Sequence, residues 1–523
     1  MRSKISRMVT FPVKDSPQRR RERRGPTNQP PPFTIKSTFP RLTVRILPLH
    51  PMRYLLASLL SIAIIAAFFE GCRKDPLDTD SDAQLLFSRD TIVFDTVFTS
   101  VGSATRHFLV HNTSSKAVKI SSIRLAGGSS SPYHLNVDGQ PVVSTGDILL
   151  RGGDSMYVFV DVTIDPNNSN SPLLVEDSIL FETNGNRQRV VLDAVGQDAH
   201  FHYYETLNCN EVWTNDKPHV IYGYAIIPQC CNLTIQAGTR VHLHKNATLA
   251  ADSCATLLVQ GAAGNPVIFQ GDRLESDYAE EPGQWYGIWL SGGSKNSIID
   301  WAVIKNSSVG VRVDTLGASV NPTLTIKNTK IRNMAYAGIL GVAGTYIKGE
   351  NLSVSNCGEA ALIMAYGGKC EFTQCSFGDY WNISSRTSPC VVLNNWYELA
   401  DHSIIGRDLT QADFYNCIIY GDQNNEIGLD STTVVSGLQF HYYFSHCLIK
   451  TNVNVSNTSH FDPQNWYNLD PQFADIPNND LHIGSGSPAI DKGDATHSNA
   501  NDLDNSLRPY NGIPDIGAYE WHP

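Results

Sequence analysis

The feature that most constrains the fold is a repeated apolar position in the second half of the chain. One large apolar residue recurs at intervals of 27, 23, 23, 42 and 30 residues, at Ile304, Ile331, Val354, Phe377, Ile419 and Ile449. Intervals of this size, between short strand-like runs, are typical of a solenoid whose coils stack on one another. We interpret the interval of 42 residues as two coils.

Three further columns of residues follow the same repeat. The residues two positions earlier are mostly small or apolar: Ala302, Thr329, Leu352, Cys375, Cys417 and Cys447. Because side chains alternate along a strand, we expect both columns to share one interior. The residues three positions earlier are expected to face outward: Trp301, Asn328, Asn351, Gln374, Asn416 and His446. Two positions later come Asn306, Asn333, Asn356 and Asp379. Since asparagine tolerates the left-handed conformation of a sharp bend, these residues predict an asparagine ladder at a coil corner.

The cysteines are interpreted mainly as core residues. The chain has 11 cysteines and no Cys-x-x-Cys pair, which argues against a zinc site. Cys375, Cys417 and Cys447 lie in an inward column, where a thiol packs as a small apolar group. Stacked coils are about 4.8 Å apart, so a disulfide between adjacent coils stays open as an alternative. Spacing alone does not give the connectivity of any disulfides.

Residues 85–199 have a different texture. Short alternating strands such as Thr91–Phe94 and Met156–Val160 are separated by turns that contain glycine or asparagine. Several such strands within about 115 residues predict a small β-sandwich. Together with the solenoid, this predicts an all-β chain.

An export signal precedes the sandwich. An apolar, uncharged run at residues 55–69 follows Met52-Arg53-Tyr54 and precedes Glu70-Gly71-Cys72, so residues 52–71 are predicted to be a signal peptide. Gly71-Cys72 resembles the end of a bacterial lipobox, which implies that lipid on Cys72 anchors the protein to a membrane. The alternative is a conventional cleaved signal with an incidental cysteine. Residues 72–84 are then a charged, solvated tether.

Residues 1–51 do not fit a signal peptide because they contain an arginine-rich run and three consecutive prolines. We interpret them as a mis-annotated extension of a chain that begins at Met52; the alternative is a disordered basic arm. Residues 1–71 hold 13 of the 40 basic and 3 of the 51 acidic residues, which leaves 27 basic and 48 acidic residues and a net charge of −21. Such a charge argues against nucleic acid as a partner.

Several motifs carry a family resemblance. They lie at residues 213–223, 233–241, 265–273 and 283–288, and in the tail at 470–473, 486–493 and 514–520. In this order they resemble right-handed parallel β-helix surface lipoproteins of Bacteroidetes, within the pectate-lyase-like superfamily. Residues 85–199 separately resemble the immunoglobulin-like modules near the start of many exported bacterial proteins. The resemblance implies an immunoglobulin-like module at 85–199, a right-handed parallel β-helix at 200–460 and C-terminal strands at 461–523 that cap it. It also implies a location at the bacterial outer membrane, on its periplasmic or cell-surface face.

The densest acidic cluster precedes Trp285. It contains the ligand-binding candidates Asp272, Arg273, Glu275 and Asp277. Carboxylates in a loop are suited to calcium or to a polar ligand, and the alternative is a solvated loop. Apart from calcium, no cofactor is expected.

Histidines and aromatic residues supply weaker candidates. His242 and His244 alternate with inward residues and so share an outer face, but no third metal ligand is evident, which favours ordinary surface histidines. Trp381, Trp396 and Tyr397 lie in long inserts, where exposed rings stack on sugars. Core packing is the alternative for these rings.

These observations favour a noncatalytic binding or display protein whose partner is a polysaccharide or another cell-surface protein. The alternative is a polysaccharide lyase or glycoside hydrolase that acts in the β-helix groove. Such an enzyme needs several carboxylates from neighbouring coils on one outer face. Because the aligned columns supply Asp379 alone, no catalytic residue is assigned.

Overall fold

The computed structural model describes residues 76–166, 172–314 and 320–523. The predicted extension, the signal peptide and Cys72 therefore lie outside the described residues. The described chain consists of strands, turns and four short 3-10 helices, at Gly128–Ser130, Ser276–Tyr278, Ile476–Asn478 and Ala495–His497. The predicted all-β class is thereby confirmed. Within the described ranges, no helix has the length and apolarity to cross a membrane.

Two packed sheets form the first unit. The strands are β1 Leu85–Phe87, β2 Thr91–Phe98, β3 Arg106–Asn112, β4 Val118–Leu125, β5 Tyr133–Val137, β6 Gln140–Val142, β7 Ser144–Thr145, β8 Ile148–Leu150, β9 Ser155–Val162, β10 Leu173–Thr183 and β11 Asn186–Gln197. One sheet has the order β1-β3-β9-β5-β6 and the other β2-β11-β10-β4-β7, with β8 paired to β4. Strand β9 shows why they pack: Met156, Val158 and Val160 point into the core, while Tyr157 and Phe159 face solvent. The unit is a β-sandwich.

Most of the remaining chain winds as a parallel β-helix. Its strands are β12 His200–Thr206, β13 Glu211–Trp213, β14 His219–Ile227, β15 Asn232–Gln236, β16 Arg240–Leu243, β17 Thr248–Ala251, β18 Thr256–Gln260, β19 Val267–Gly271, β20 Gly287–Leu290, β21 Ser297–Asp300, β22 Ala302–Lys305, β23 Val309–Asp314, β24 Leu324–Met334, β25 Ala337–Val342, β26 Tyr346–Cys357, β27 Ala360–Ala365, β28 Gly368–Thr373, β29 Ser376–Asp379, β30 Val391–Asn394, β33 Leu409–Tyr415, β34 Ile418–Gly421, β35 Ile427–Asp430, β36 Tyr443–Ser445, β37 Leu448–Ile449 and β38 Trp466–Tyr467. Each strand pairs in parallel with the strand one coil later, as β16 does with β19. An antiparallel pair, β31 Trp396–Glu398 and β32 Ile404–Gly406, projects from one coil.

The predicted apolar column is confirmed residue by residue. Ile304 pairs with Ile331, and Ile331 pairs with Val354. Phe377 pairs with Val354 on one side and with Ile419 on the other. All of these side chains are fully buried, as is the cysteine column. The interpretation of the 42-residue interval as two coils is wrong: because Phe377 and Ile419 are direct partners, the interval is one coil enlarged by insertions.

The corner ladder is confirmed, and a second ladder accompanies it. Asn306, Asn333 and Asn356 all have positive φ, and Nδ2 of Asn356 donates to Oδ1 of Asn333 at 2.8 Å. The column that begins at Asn328 also has positive φ throughout, and Asn351 donates to Asn328 at 3.1 Å. Both ends of this strand column are therefore left-handed corners whose amides bridge successive coils.

The C-terminal segment lies along the side of the β-helix. Residues 461–467 continue the last coil, and β38 pairs with β37. The rest includes β39 Phe473–Asp475 and β40 Asp480–Ile483, and it crosses the outward column of several coils. Asn351, Gln374 and Asn416 point away from the core, but they are buried because this segment covers them. Beyond residue 467 the segment therefore lies along the side of the coils, where the polar corner amides give it hydrogen-bond partners.

The described part of the predicted tether is attached to the sandwich. Of residues 72–84, the described part begins at Pro76. The Asp78 amide donates to the Ala117 carbonyl at 2.7 Å, and Nδ2 of Asn184 donates to the Asp78 carbonyl at 2.9 Å. Residues 76–84 are therefore fixed against the sandwich, because their backbone groups find partners there.

The described cysteines fall into three groups. Six are buried free thiols, which confirms the core interpretation of Cys375, Cys417 and Cys447. Among the described residues, one disulfide joins Cys209 to Cys231, near the start of the β-helix. Cys230 and Cys254 are free and accessible.

Candidate functional site

A cleft lies where the β-sandwich meets the β-helix. The two units touch through Phe98, whose ring lies 5.0 Å from that of His242, and the cleft beside this contact has a volume of about 130 Å³. Its walls come from residues 94–98, 101–104 and Arg106 of the sandwich and from the β-helix residues Tyr222, His244, Asp272, Arg273, Leu274 and Glu275. Three of the predicted ligand-binding candidates therefore line one concave surface.

A column of side chains from consecutive coils forms the β-helix wall. Tyr203 pairs with Tyr222, and the strand registers place His244 and Asp272 at the corresponding positions of the next two coils. The Tyr203 and Tyr222 rings stack at 5.1 Å, and Tyr222 lies 4.6 Å from the His244 ring. Parallel coils thus convert one position per coil into a continuous aromatic and acidic strip.

At the acidic end of this strip, Asp272 is hydrogen-bonded to His244. Oδ2 of Asp272 lies 2.7 Å from Nδ1 of His244. Burial raises the pKa of Asp272, and the hydrogen bond with His244 opposes that shift. Burial, together with the nearby Asp272 charge, also raises the pKa of Tyr222. At neutral pH, Tyr222 therefore remains a neutral phenol.

The rim of the cleft contains two ion pairs. Arg273 holds Glu275 at 2.9 Å and lies over the ring of Tyr278 at 4.0 Å. Although burial alone raises the pKa of Glu275, the hydrogen bond from Arg273 holds that pKa below its usual value. On the sandwich side, Arg106 and Asp95 are 3.4 Å apart. The cleft thus presents both donors and acceptors to a polar ligand.

Sequence reasoning found one wall of this cleft and missed the other. Asp277, a fourth candidate, lies exposed on the 3-10 helix Ser276–Tyr278 and is not part of the cleft lining. Arg106 and Asp95 were missed because they belong to another domain, far away in the sequence. Tyr222 lies within the fold motif at residues 213–223, and only the register of the first coils places Tyr203 and His244 beside it.

The aromatic candidates do not form one surface. Trp381 is buried, and its indole donates to Ser384 at 2.9 Å, so its interpretation as a sugar-stacking residue is wrong. Trp396 is half-buried on β31 and donates to Asp430 at 3.0 Å. Tyr397 is its half-buried neighbour on the same strand. Trp381 and Trp396 each donate the indole N–H group to a polar partner, as a buried indole requires. These hydrogen bonds help to fix the insert.

The two histidines also differ from expectation. His242 is buried under the sandwich, where burial lowers its pKa to about 4, whereas His244 is exposed. The description of His242 as a surface histidine is therefore wrong, since a second domain covers the outer face. In the described part of the chain, no group of three or more His, Cys, Asp or Glu residues is arranged to hold a metal ion.

A second charged cluster is mostly buried, and only its Asp422 reaches the surface. The Arg386 guanidinium holds both carboxylate oxygens of Glu426, at 2.8 and 2.9 Å, and also contacts Asp422. Asp379 lies 3.6 Å from Arg386, and its Oδ1 accepts from the Cys357 amide at 2.8 Å. Burial raises the pKa of Asp379 to about 7 despite the Arg386 charge. The side chains of Arg386, Asp379 and Glu426 are all fully buried, so the cluster ties an insert to the coils.

Curated proteins and solved structures show little similarity to this chain. No curated protein matches the chain. Among solved structures, similar ones include an ASH/PapD-like domain of human CEP192 (11% identity, 24% of this chain, 92% of that chain), a Porphyromonas gingivalis protein of unknown function (12%, 24%, 59%) and the Escherichia coli chaperone DraB (11%, 22%, 55%). Each has a TM-score of 0.16, and such low scores carry no argument. This chain spans just over half the length of the second and third of these structures.

A family model is more informative. The right-handed beta helix region matches residues 225–377, within which successive strands pair in parallel. The match supplies the hand of the solenoid. The chain is therefore an all-β protein built on a right-handed parallel β-helix.

Proposed function

We propose that this protein is a lipid-anchored envelope protein that binds a polar partner, preferably a glycan, in the cleft between its sandwich and its β-helix. The observation that carries the proposal is the convergence of Asp272, Arg273 and Glu275 with Tyr222 on one concave surface. Carbohydrate sites typically combine aromatic faces with fixed donors and acceptors. The cleft has both kinds of group.

A noncatalytic role fits the electrostatics of the cleft. Asp272 is paired with His244, and Glu275 with Arg273. Glycosidic cleavage needs one carboxyl that carries a proton and a second one that stays ionised and free to act. Because Arg273 engages Glu275 and His244 is hydrogen-bonded to Asp272, both cleft carboxylates are better suited to hold a ligand than to attack it.

Anchorage and location are part of the same proposal. Lipid on Cys72 holds the chain at the bacterial outer membrane, on its periplasmic or cell-surface face, as in the Bacteroidetes lipoproteins that the sequence resembles. The sandwich then acts as an immunoglobulin-like spacer. In support, residues 76–84 are fixed to the sandwich, so few residues separate it from Cys72. The Cys72→Ser variant should appear in the soluble fraction of expressing cells, and its retention in membranes would contradict the anchor.

A polysaccharide panel tests the cleft. The full chain should bind at least one member, measured by calorimetry, and Asp272→Asn and Arg273→Gln should weaken that binding at least tenfold. Asp277→Asn is the matched control, because Asp277 lies in the same loop outside the cleft lining. Equal binding by all three variants, or binding to no member of the panel, would reject the proposal.

The enzymatic alternative rests on a different place. Asp379, with a pKa raised by burial to about 7, lies beside Arg386, and Asp422 of the same cluster reaches the surface. A carboxyl with such a pKa suits a general acid. Release of reducing ends or unsaturated sugars by the full chain, abolished by Asp422→Asn, would favour a hydrolase or lyase over a binding protein.

A further inference from the structure

The two accessible free cysteines occupy the same corner of adjacent coils. Ile227 pairs with Ala251 before the corner, and Asn232 pairs with Thr256 after it. Counting inward from either side places Cys230 opposite Cys254. The Cys230 amide donates to the Ser253 carbonyl at 3.1 Å, which holds the two turns together.

Their backbone conformations match as well. Cys230 and Cys254 have φ values of 58° and 64°, so the two Cβ atoms leave equivalent left-handed corners in similar directions. Corresponding residues of stacked coils are about 4.8 Å apart. A disulfide needs Cα atoms about 4.4–6.8 Å apart, so the corner satisfies its main geometric requirement.

The chemical environment favours reaction at this corner. Cys230 is exposed and Cys254 is half-buried, whereas the other six free cysteines of the described chain are buried. Hydrogen bonds from the Cys230 thiol and the Lys295 ammonium lower the pKa of Cys254. A thiolate at Cys254 is the better nucleophile, and Cys230 is placed to act as its resolving partner.

We propose that Cys230 and Cys254 form a second disulfide that cross-links adjacent coils next to Cys209–Cys231. The co-reactant is a disulfide of low molecular weight or of a thiol oxidoreductase. The Cys254 thiolate attacks one sulfur, the co-reactant S–S bond breaks and one thiolate leaves. The Cys230 thiolate then attacks the Cys254 sulfur and displaces the second thiolate. Two protein thiols lose two electrons and two protons, and one disulfide becomes two thiols.

Peptide mapping tests the assignment. The full chain, purified without reductant, is incubated with oxidised glutathione, alkylated and digested. The expected product is a peptide that links Cys230 to Cys254, with Cys209–Cys231 intact and the buried Cys375 and Cys447 still thiols. Cys230→Ser should instead accumulate glutathione on Cys254. Free Cys230 and Cys254 at equilibrium, or Cys254 linked to Cys209 or Cys231, would overturn the proposal.

A rate measurement tests the role of Lys295. Lys295→Gln should slow disulfide formation several-fold at pH 7. The difference should shrink above the usual thiol pKa of about 8.5, where the thiolate no longer needs the ammonium. An equal rate for the variant and the parent at pH 7 would overturn the role of Lys295.

Discussion

Nη1 of Arg508 donates a hydrogen bond of 2.9 Å to Oδ1 of Asn351, a residue of the outward corner ladder. The same guanidinium contacts Gln374 on the next coil and forms an ion pair with Glu520 at 3.1 Å. The side chains of Arg508 and Glu520 are buried. One arginine of the C-terminal segment therefore ties two coils of the β-helix to that segment.

Replacement of Arg508 tests this tie. Arg508→Met should lower the free energy of unfolding by about 3–5 kcal/mol in urea titrations, because it leaves the buried Glu520 carboxylate without a cation. The double variant with Glu520→Gln should recover part of the loss. Lys492→Met, at an exposed site of the same segment, is the control and should stay within about 0.5 kcal/mol of the parent. An equally small effect of Arg508→Met would contradict the tie.

Neighbouring isoleucines on β21 test the inward column. Ile299 is fully buried, whereas Ile298 is 39% exposed on the opposite face. Ile299→Ala should cost about 2–5 kcal/mol, since it removes a packed side chain and leaves a cavity. Ile298→Ala should cost less than about 1 kcal/mol. Similar losses in denaturant titrations of both variants would speak against a common interior.

The left-handed corner at Asn333 predicts an unusual order of substitutions. Its φ is 59°, a conformation that glycine adopts freely and alanine does not. Asn333→Gly and Asn333→Ala lose the same side-chain hydrogen bonds to Asn306 and Asn356. Asn333→Ala should therefore be less stable than Asn333→Gly by about 1–2 kcal/mol, measured by chemical denaturation. The reverse order would rule out strain at this corner.

Asp379 should make part of the stability fall as pH rises. Its folded pKa of about 7 lies above the usual value of 3.8, so the folded state binds more protons than the unfolded state between these pH values. The parent should lose roughly 1–4 kcal/mol from this group between pH 4 and pH 7. Asp379→Asn should remove that loss, seen as a flatter pH profile. Glu281→Gln, at an exposed carboxylate, should retain the parent profile.

His242 should act in the opposite direction. Burial depresses its pKa from 6.5 to about 4, so its contribution is fully present above pH 6.5 and is lost as pH falls towards 4. His242→Gln should lack an acid-induced loss of roughly 1–3 kcal/mol that the parent shows. The comparison is made by denaturation at pH 7 and pH 4.5, with exposed His522→Gln as the control. Parallel profiles for parent and His242→Gln would contradict a buried neutral imidazole.

The sequence by itself determined the solenoid. The intervals between Ile304, Ile331, Val354 and Phe377 record one constraint, because each coil buries one side chain directly above its predecessor. Because this requirement recurs at the same position of every coil, a periodic pattern in the sequence is enough to detect it. The asparagine ladder was predictable for the same reason. The interval after Phe377 is long because an insertion enlarges one coil, and its length alone wrongly predicts two coils.

Only the tertiary structure decided which outward residues remain outward. Gln374 and His242 both point away from the core, yet the C-terminal segment covers the first and the sandwich covers the second. The cleft lined by Arg106 and Asp272 arises in the same way, because these residues belong to two units that are far apart in the sequence. Periodicity reports which face a strand turns inward. It carries no information about what later packs on the other face, because that contact depends on side chains without a fixed spacing in the sequence.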